Sequence, residues 1–191
     1  MIRRMAMKLH DTTAVPTGVR VMSLATHPDN RGDLTEVFRM EWIDSPAPIQ
    51  WMVVRSEANA LRGVHVHARH WDYYCVVSGE LAVGLHDLRP GAAMARSTAM
   101  LLLSGQRLQL LTVPSGVAHG LYSPNPSTLL VGTSTYYDPA DDRGCRWDAR
   151  ELGLEWPCTS PILSAKDRDA GSYAELEAGL RADLGLSSAP V

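Results

Sequence analysis

Arg62-Gly63-Val64-His65-Val66-His67-Ala68-Arg69-His70-Trp71-Asp72 is the most informative stretch of this 191-residue chain. It sets three histidines within six positions and ends on an acid, and Tyr73-Tyr74-Cys75-Val76-Val77-Ser78 then lead to Gly79. Residues two apart in a strand share a face, so His65 and His67 are expected to point the same way. A fourth histidine, His119, follows Pro114-Ser115-Gly116-Val117-Ala118. If the chain is a barrel, His65, His67, Asp72 and His119 can converge inside it and hold a divalent transition metal with open positions. The competing reading is a set of hydrogen-bonded core histidines. His70, on the turn, is expected to face solvent. His10, His27 and His86 carry no constellation.

Working outward, the apolar residues from 18 to 137 alternate or fall in short runs. VRVMSL (19–24), DLTEVFR (33–39), PIQWMVVRS (48–56), YYCVVS (73–78), ELAVGLHD (80–87), MLLL (100–103), LQLLTV (108–113) and STLLVGTSTYY (127–137) read as strands. Ser78-Gly79, Arg89-Pro90-Gly91, Pro114-Ser115-Gly116 and Ser123-Pro124-Asn125-Pro126 punctuate them, since glycine supplies positive φ and proline fixes φ. Eight or more short strands at this spacing predict an all-β sandwich or barrel of the jelly-roll kind over residues 1–160. The tail, 161–191, differs. Ser172-Tyr173-Ala174-Glu175 is a capping box, and Leu176, Leu180 and Leu184 follow at helical spacing before Gly185. A helix over 173–184 is expected to lay its leucine stripe on the barrel or on a partner, and the last residues are expected to fray.

Composition narrows the function classes. With 45% hydrophobic residues and a net charge of −3, the chain is neither disordered nor a basic nucleic-acid binder. A chain this long buries roughly 70% of its unfolded surface and needs no disulfide to fold. No run of 18 apolar residues suggests a membrane span, and MIRRMAMKLH lacks the apolar stretch of a secretory signal. Cys75, Cys145 and Cys158 are odd in number with no C-x-x-C spacing, which suits a reducing, cytoplasmic setting.

The spacing His65, His67, Asp72, Gly79, with Pro114, Gly116 and His119, resembles the two motifs of cupins, except that the acid is normally Glu. More specifically, Leu61-Arg62-Gly63-Val64-His65 is similar to the L-R-G-L-H element of dTDP-4-dehydrorhamnose 3,5-epimerases, a cupin-fold family. Arg31-Gly32 with Glu36, Gln50, Pro114 to Gly120, Tyr136-Tyr137, Arg143-Gly144 with Arg146-Trp147, Gly153 to Pro157, and Leu163-Ser164-Ala165-Lys166-Asp167 match further elements in order. The resemblance implies a cupin jelly roll with short C-terminal helices, a homodimer, and proton abstraction beside the carbonyl of a nucleotide-linked 4-keto-6-deoxy sugar. It implies His65 as base and Asp167 as its orienter. Arg62 would meet the diphosphate, Arg31 and Glu36 the nucleotide (across the dimer), and Gln50, His119 and Tyr137 the rest of the substrate. No organic cofactor is needed, because the carbonyl itself acidifies the proton.

The chain also departs from the family pattern. Val131 stands where the family places its general-acid tyrosine, and Asp72 where it places a lysine. Leu34, Met52 and Val83 replace an aromatic, an amide and an acid. These changes leave open a metal-dependent cupin using His65, His67, Asp72 and His119, a sugar 3,4-ketoisomerase, and a non-catalytic homologue.

Overall fold

The computed structural model describes residues 15–92 and 96–186. Its strands in chain order are β1 (Arg20–Ser23), β2 (Thr26–Asp29), β3 (Gly32–Thr35), β4 (Gln50–Ser56), β5 (Ala60–Val66) and β6 (Asp72–Ser78). There follow β7 (Glu80–Asp87), β8 (Thr98–Ser104), β9 (Gln109–Val113), β10 (Val117–Ser123), β11 (Ser127–Thr133) and β12 (Arg143–Gly144). Helices α1 (Ala165–Arg168) and α2 (Tyr173–Asp183) close the described chain. One sheet has the order β1-β9-β6-β11-β4 and the other β12-β5-β10-β7-β8. Their neighbours pair antiparallel, giving a jelly-roll sandwich.

Alternation along each strand builds the core between the sheets. Val83, Leu85, Leu111, Leu129 and Val131 point inward and pack as one buried cluster with Tyr74 and Val76. The β12-β5-β10-β7-β8 sheet is covered on its outer face as well. Leu152, Tyr173, Leu176 and Leu180 pack there against Val64, Val66 and Ala118. Burial on both faces explains why β7 and β10 hold little exposed surface, although both carry polar residues.

Glycine makes this second layer possible. Trp156 lies so close to the sheet that a Cβ on Gly84 would sit 2.8 Å from its ring, and one on Gly120 3.0 Å. The indole N–H donates to the Trp147 carbonyl at 3.0 Å, which fixes the ring over both glycines. His86 serves the same layer. It is buried, with Nε2 3.0 Å from the Tyr173 hydroxyl and Nδ1 2.9 Å from Thr98 Oγ1. It is therefore a core histidine tying α2 to the sheet.

The expected helix is present as α2. Ser172 Oγ accepts from the Glu175 N–H, and Glu175 Oε2 accepts from the Ser172 N–H. Leu176 and Leu180 are buried, whereas Leu184 is the C-terminal cap and is exposed, because the chain turns at Gly185 with φ +67. The residues expected to fray include 187–191, which lie outside the described residues. Other boundaries differ. The strand expected over 33–39 ends at Thr35, and β2 and β3 form a hairpin that joins neither sheet. Phe38 instead folds onto the outer face, edge-on to Trp51 and Tyr73 at 5.6 and 6.0 Å. The last run stops at Thr133, whose hydroxyl donates to the Thr135 carbonyl and bends the chain away.

Gly84→Ala is expected to destabilise the fold by about 1–3 kcal/mol through overpacking against Trp156. In a Trp156→Leu background most of that cost should vanish. Chemical denaturation of the four proteins of this cycle measures the coupling.

Candidate functional site

Residues 62–66 of the histidine-rich stretch end β5, Asp72 begins β6, and one irregularity in β5 builds the site. Opposite β10, His65 pairs with His119 and Arg62 pairs with Leu121. Two residues, Gly63 and Val64, therefore face one, Gly120. Such a bulge shifts side-chain alternation by one place. Arg62 and His65, three apart, consequently line the same cavity, where a regular strand would have sent them to opposite faces. Gly63 has φ +119, and a Cβ there would lie 2.8 Å from the Gly120 Cα and 2.9 Å from the His119 carbonyl oxygen. Only glycine fits.

The cavity holds about 340 Å³ between the sheets. His65, His67, His119 and Leu121 come from the β5–β10 side. Met52, Val54, Asp72, Tyr74, Leu129, Val131 and Thr133 come from the facing sheet. Arg62 from β5 and His70, Tyr137, Asp142, Ser164, Lys166 and Asp167 from outside the strands form the remaining lining. A larger hollow of about 670 Å³ lies beside β1, but its lining charges, Arg20 and Asp44, already pair at 2.7 Å on the surface.

His65 Nε2 lies 2.6 Å from Asp167 Oδ1, a contact between residues 102 positions apart. Asp167 sits in the first turn of α1, where Ser164 caps the helix by accepting from the Asp167 N–H at 3.0 Å. Burial pushes the Asp167 carboxyl up, but hydrogen bonds from His65, Ser164 and the Gly63 amide outweigh it and hold the group below the ordinary aspartate value. An ionised carboxylate at Nε2 fixes the Nε2–H tautomer and leaves Nδ1 with a lone pair. That nitrogen looks across 3.8 Å at Asp142 Oδ1. Asp142 is itself engaged by Lys166 and by the Tyr137 hydroxyl at 3.3 Å.

Deeper in the cavity, Asp72 faces three imidazoles. Its carboxylate oxygens lie 3.8 Å from His67 Nε2, 3.6 Å from His70 Nε2 and 3.6 Å from His119 Nε2. Burial raises the Asp72 carboxyl, and the three rings overcome this and lower it. Burial drives His119 down to about 4, against the pull of Asp72, and lowers His67 as well. His70 goes the other way: burial depresses it, but Asp72 and Asp141 together raise it above the ordinary histidine value. The cluster thus carries its own balancing charge. Tyr74 is held well above the ordinary phenol value by burial and by the adjacent Asp72 carboxylate.

Two expectations are corrected here. His70 does not face solvent: it is 4% exposed, stacked on His67 with ring centroids 3.9 Å apart, and its Nδ1 lies 3.2 Å from Asp141 Oδ2. The four-ligand metal set does not assemble either. Ligand-type atoms of His67, Asp72 and His119 lie within 4.8 Å of one another, but His65 is turned to Asp167 and stands outside that group.

The other anticipated residues are placed unevenly. Arg62 lines the cavity and donates to Ser56 Oγ at 3.0 Å and to the Arg55 carbonyl at 3.1 Å. Gln50 lies at the rim and accepts from the Tyr137 N–H at 2.8 Å, which holds Tyr137 at the cavity mouth. Tyr136 is exposed. Arg31 and Glu36 do not reach this cavity. Arg31 pairs with Asp29 at 2.6 Å, and Glu36 with Arg39 at 2.6 Å, both on the outer surface. Sequence reasoning missed Asp141, Asp142, Lys166 and Tyr74. Tyr74 had a usable signal, since strand alternation from Asp72 turns it to the same face.

The chain is similar to known proteins in sequence and fold. A family model described as dTDP-4-dehydrorhamnose 3,5-epimerase matches residues 13–175. A dTDP-4-dehydrorhamnose 3,5-epimerase of Neisseria gonorrhoeae is 30% identical over 86% of this chain, which spans only 52% of that relative's length. The solved rmlC epimerase of Mycobacterium tuberculosis superposes with a TM-score of 0.81 at 26% identity, covering 86% of this chain and 88% of that one. ChmJ, a 3'-monoepimerase from Streptomyces bikiniensis solved with dTDP-quinovose, gives 0.78 at 25% identity, covering 90% and 89%. With a family model matching residues 13–175, the chain belongs to the dTDP-4-dehydrorhamnose 3,5-epimerase family.

Proposed function

We propose that this protein epimerises a nucleotide-linked, dTDP-type 4-keto-6-deoxy sugar by removing and returning a proton next to the carbonyl. The observation that carries this reading is the 2.6 Å His65–Asp167 contact at the wall of a cavity sized for a sugar ring. The ligand class is supported by relatives, among them ChmJ with its dTDP-sugar.

The chemistry follows from the arrangement. The 4-keto group makes the neighbouring C–H acidic. His65 Nδ1 takes that proton, and the C–H electrons pass into the carbonyl to give an enolate. Asp167 stabilises the imidazolium that forms and keeps the ring from rotating. Return of a proton to the opposite face of the carbon completes the inversion. The carbonyl already in the substrate activates the C–H bond, so no organic cofactor enters. Arg62 supplies a guanidinium fork for the diphosphate, while Gln50 and Tyr137 shape the mouth. His119 contacts the sugar as a neutral imidazole.

We place Arg31 and Glu36 in the site of a second copy. The β2–β3 hairpin flanking Arg31 joins neither sheet of its own protomer, and strands β4 and β6 expose Trp51, Val53 and Val77. Exposed apolar area of this kind suits a homodimer interface. Among the described residues no helix is long and apolar enough to cross a membrane. Cys75, Cys145 and Cys158 are unpaired, and we assign the protein to the cytoplasm.

Three outcomes follow. In D₂O, dTDP-4-keto-6-deoxyglucose should gain deuterium beside its carbonyl, as read by NMR. His65→Ala should abolish this exchange, and Asp167→Asn should slow it by on the order of 10²-fold or more. Light scattering should give the mass of a dimer, with Trp51→Glu/Val53→Lys shifting it toward monomer. Finally, His119 stays neutral in the fold down to about pH 4. The unfolded chain takes up a proton near pH 6.5 that the folded one refuses. Stability therefore falls as pH drops from 6.5 towards 4, by up to about 3 kcal/mol from this group. Denaturation at several pH values should show His119→Gln losing that share of the slope.

A further inference from the structure

Inversion needs a proton donor on the side of the sugar opposite His65. The two sheets supply those sides. His65 belongs to the β5–β10 wall, and a ring lying between the sheets presents its other face to β4, β6 and β11. The cavity of about 340 Å³ between the two sheets leaves room for one sugar ring. Among the described residues lining the cavity, that second wall consists of Met52, Val54, Asp72, Tyr74, Leu129, Val131 and Thr133. Four are hydrocarbon or thioether. Asp72 is a carboxylate and accepts protons. Thr133 already donates its hydroxyl to the Thr135 carbonyl. Tyr74 remains: its phenol, hydrogen-bonded to the Asp72 carboxylate, keeps its proton until a strongly basic enolate carbon forms beside it.

We propose that Tyr74 is the proton donor that completes the inversion. Tyr74 is the cross-strand partner of Val131 and its ring lies edge-on to His119, 5.7 Å between centroids. It is thus seated centrally on the wall and turned toward His65's strand neighbour. A phenol carries its proton at neutral pH and is an established type of general acid. The step balances without a further reactant. The Tyr74 O–H bond breaks, a C–H bond forms at the enolate carbon, and the enolate electrons re-form the carbonyl. Water then reprotonates the tyrosinate, and the His65 imidazolium releases its proton to solvent. Tyr137 is not equivalent. It sits at the mouth, and its hydroxyl donates to Asp142, on the base's side of the cavity.

The proposal rests on the epimerase reading, and one experiment separates the two. Wild type, Tyr74→Phe and Tyr74→Leu are each mixed with dTDP-4-keto-6-deoxyglucose in D₂O, and recovered substrate and inverted product are quantified by NMR. Binding of dTDP and the melting temperature identify a folded variant; the leucine variant, which suits the neighbouring Leu111 and Leu129, stands in if the phenylalanine one fails. The expected result is inverted product reduced by at least about 100-fold, while His65-dependent deuterium still enters recovered substrate with its configuration retained. Inverted product within several-fold of wild type would overturn the role of Tyr74. So would loss of both exchange and inversion in a folded variant, because a donor acts after C–H cleavage. Absence of exchange in the wild type would instead remove the epimerase reading and this proposal with it.

Discussion

Everything in the cavity depends on holding one imidazole still. His65 and Asp167 are far apart in the chain, and neither would find the other without the layer that the C-terminal segment lays on the sheet. Trp156 is pressed onto Gly84 and Gly120, Leu176 and Leu180 pack behind Val64 and Val66, and α1 meets β5 with Asp167 on its first turn. The Gly63 amide, inside the bulge, bonds the same carboxylate. One short segment thus orients the base, anchors its partner, and turns Arg62 into the cavity. That is the physical content of the arginine-glycine-x-histidine pattern.

Much of this was legible in the sequence, for definable reasons. Strands such as Glu80–Asp87 and the helix beginning at Tyr173 are written in local periodicity and capping chemistry, and they fold as expected. β5 and β10 were absent from the strand reading although they carry the site. Both have interrupted apolar patterns: histidines face inward where hydrocarbon is expected, Gly63 marks the bulge in β5, and Gly120 of β10 lies under Trp156. His70 was misread because a turn position says nothing of what folds over it. Here the partner is Asp141, seventy-one residues away, which also accepts from the Ala68 N–H at 2.8 Å. Long-range partners of this kind leave no local signal.

The departures from the family pattern acquire a physical meaning in three dimensions. Asp72 places a negative charge where a positive one was expected, yet three imidazoles surround it, so the site does not carry a lone buried anion. Val131 removes a hydroxyl from β11, while its cross-strand neighbour Tyr74 presents one from β6. The metal set anticipated from His65, His67, Asp72 and His119 divides into two groups with different partners. His65 belongs to Asp167, and the others belong to Asp72.

The central claim is a tautomer: a proton on His65 Nε2, held by Asp167, and a bare Nδ1 facing the cavity. Nitrogen-15 NMR of histidine-labelled protein at neutral pH, with His65 assigned through the His65→Gln variant, measures it directly. The account predicts a protonated Nε2 and an unprotonated Nδ1, a state that Asp167→Asn disturbs. A His65 ring protonated on Nδ1 instead, or one whose nitrogen signals are unchanged by Asp167→Asn, would contradict it.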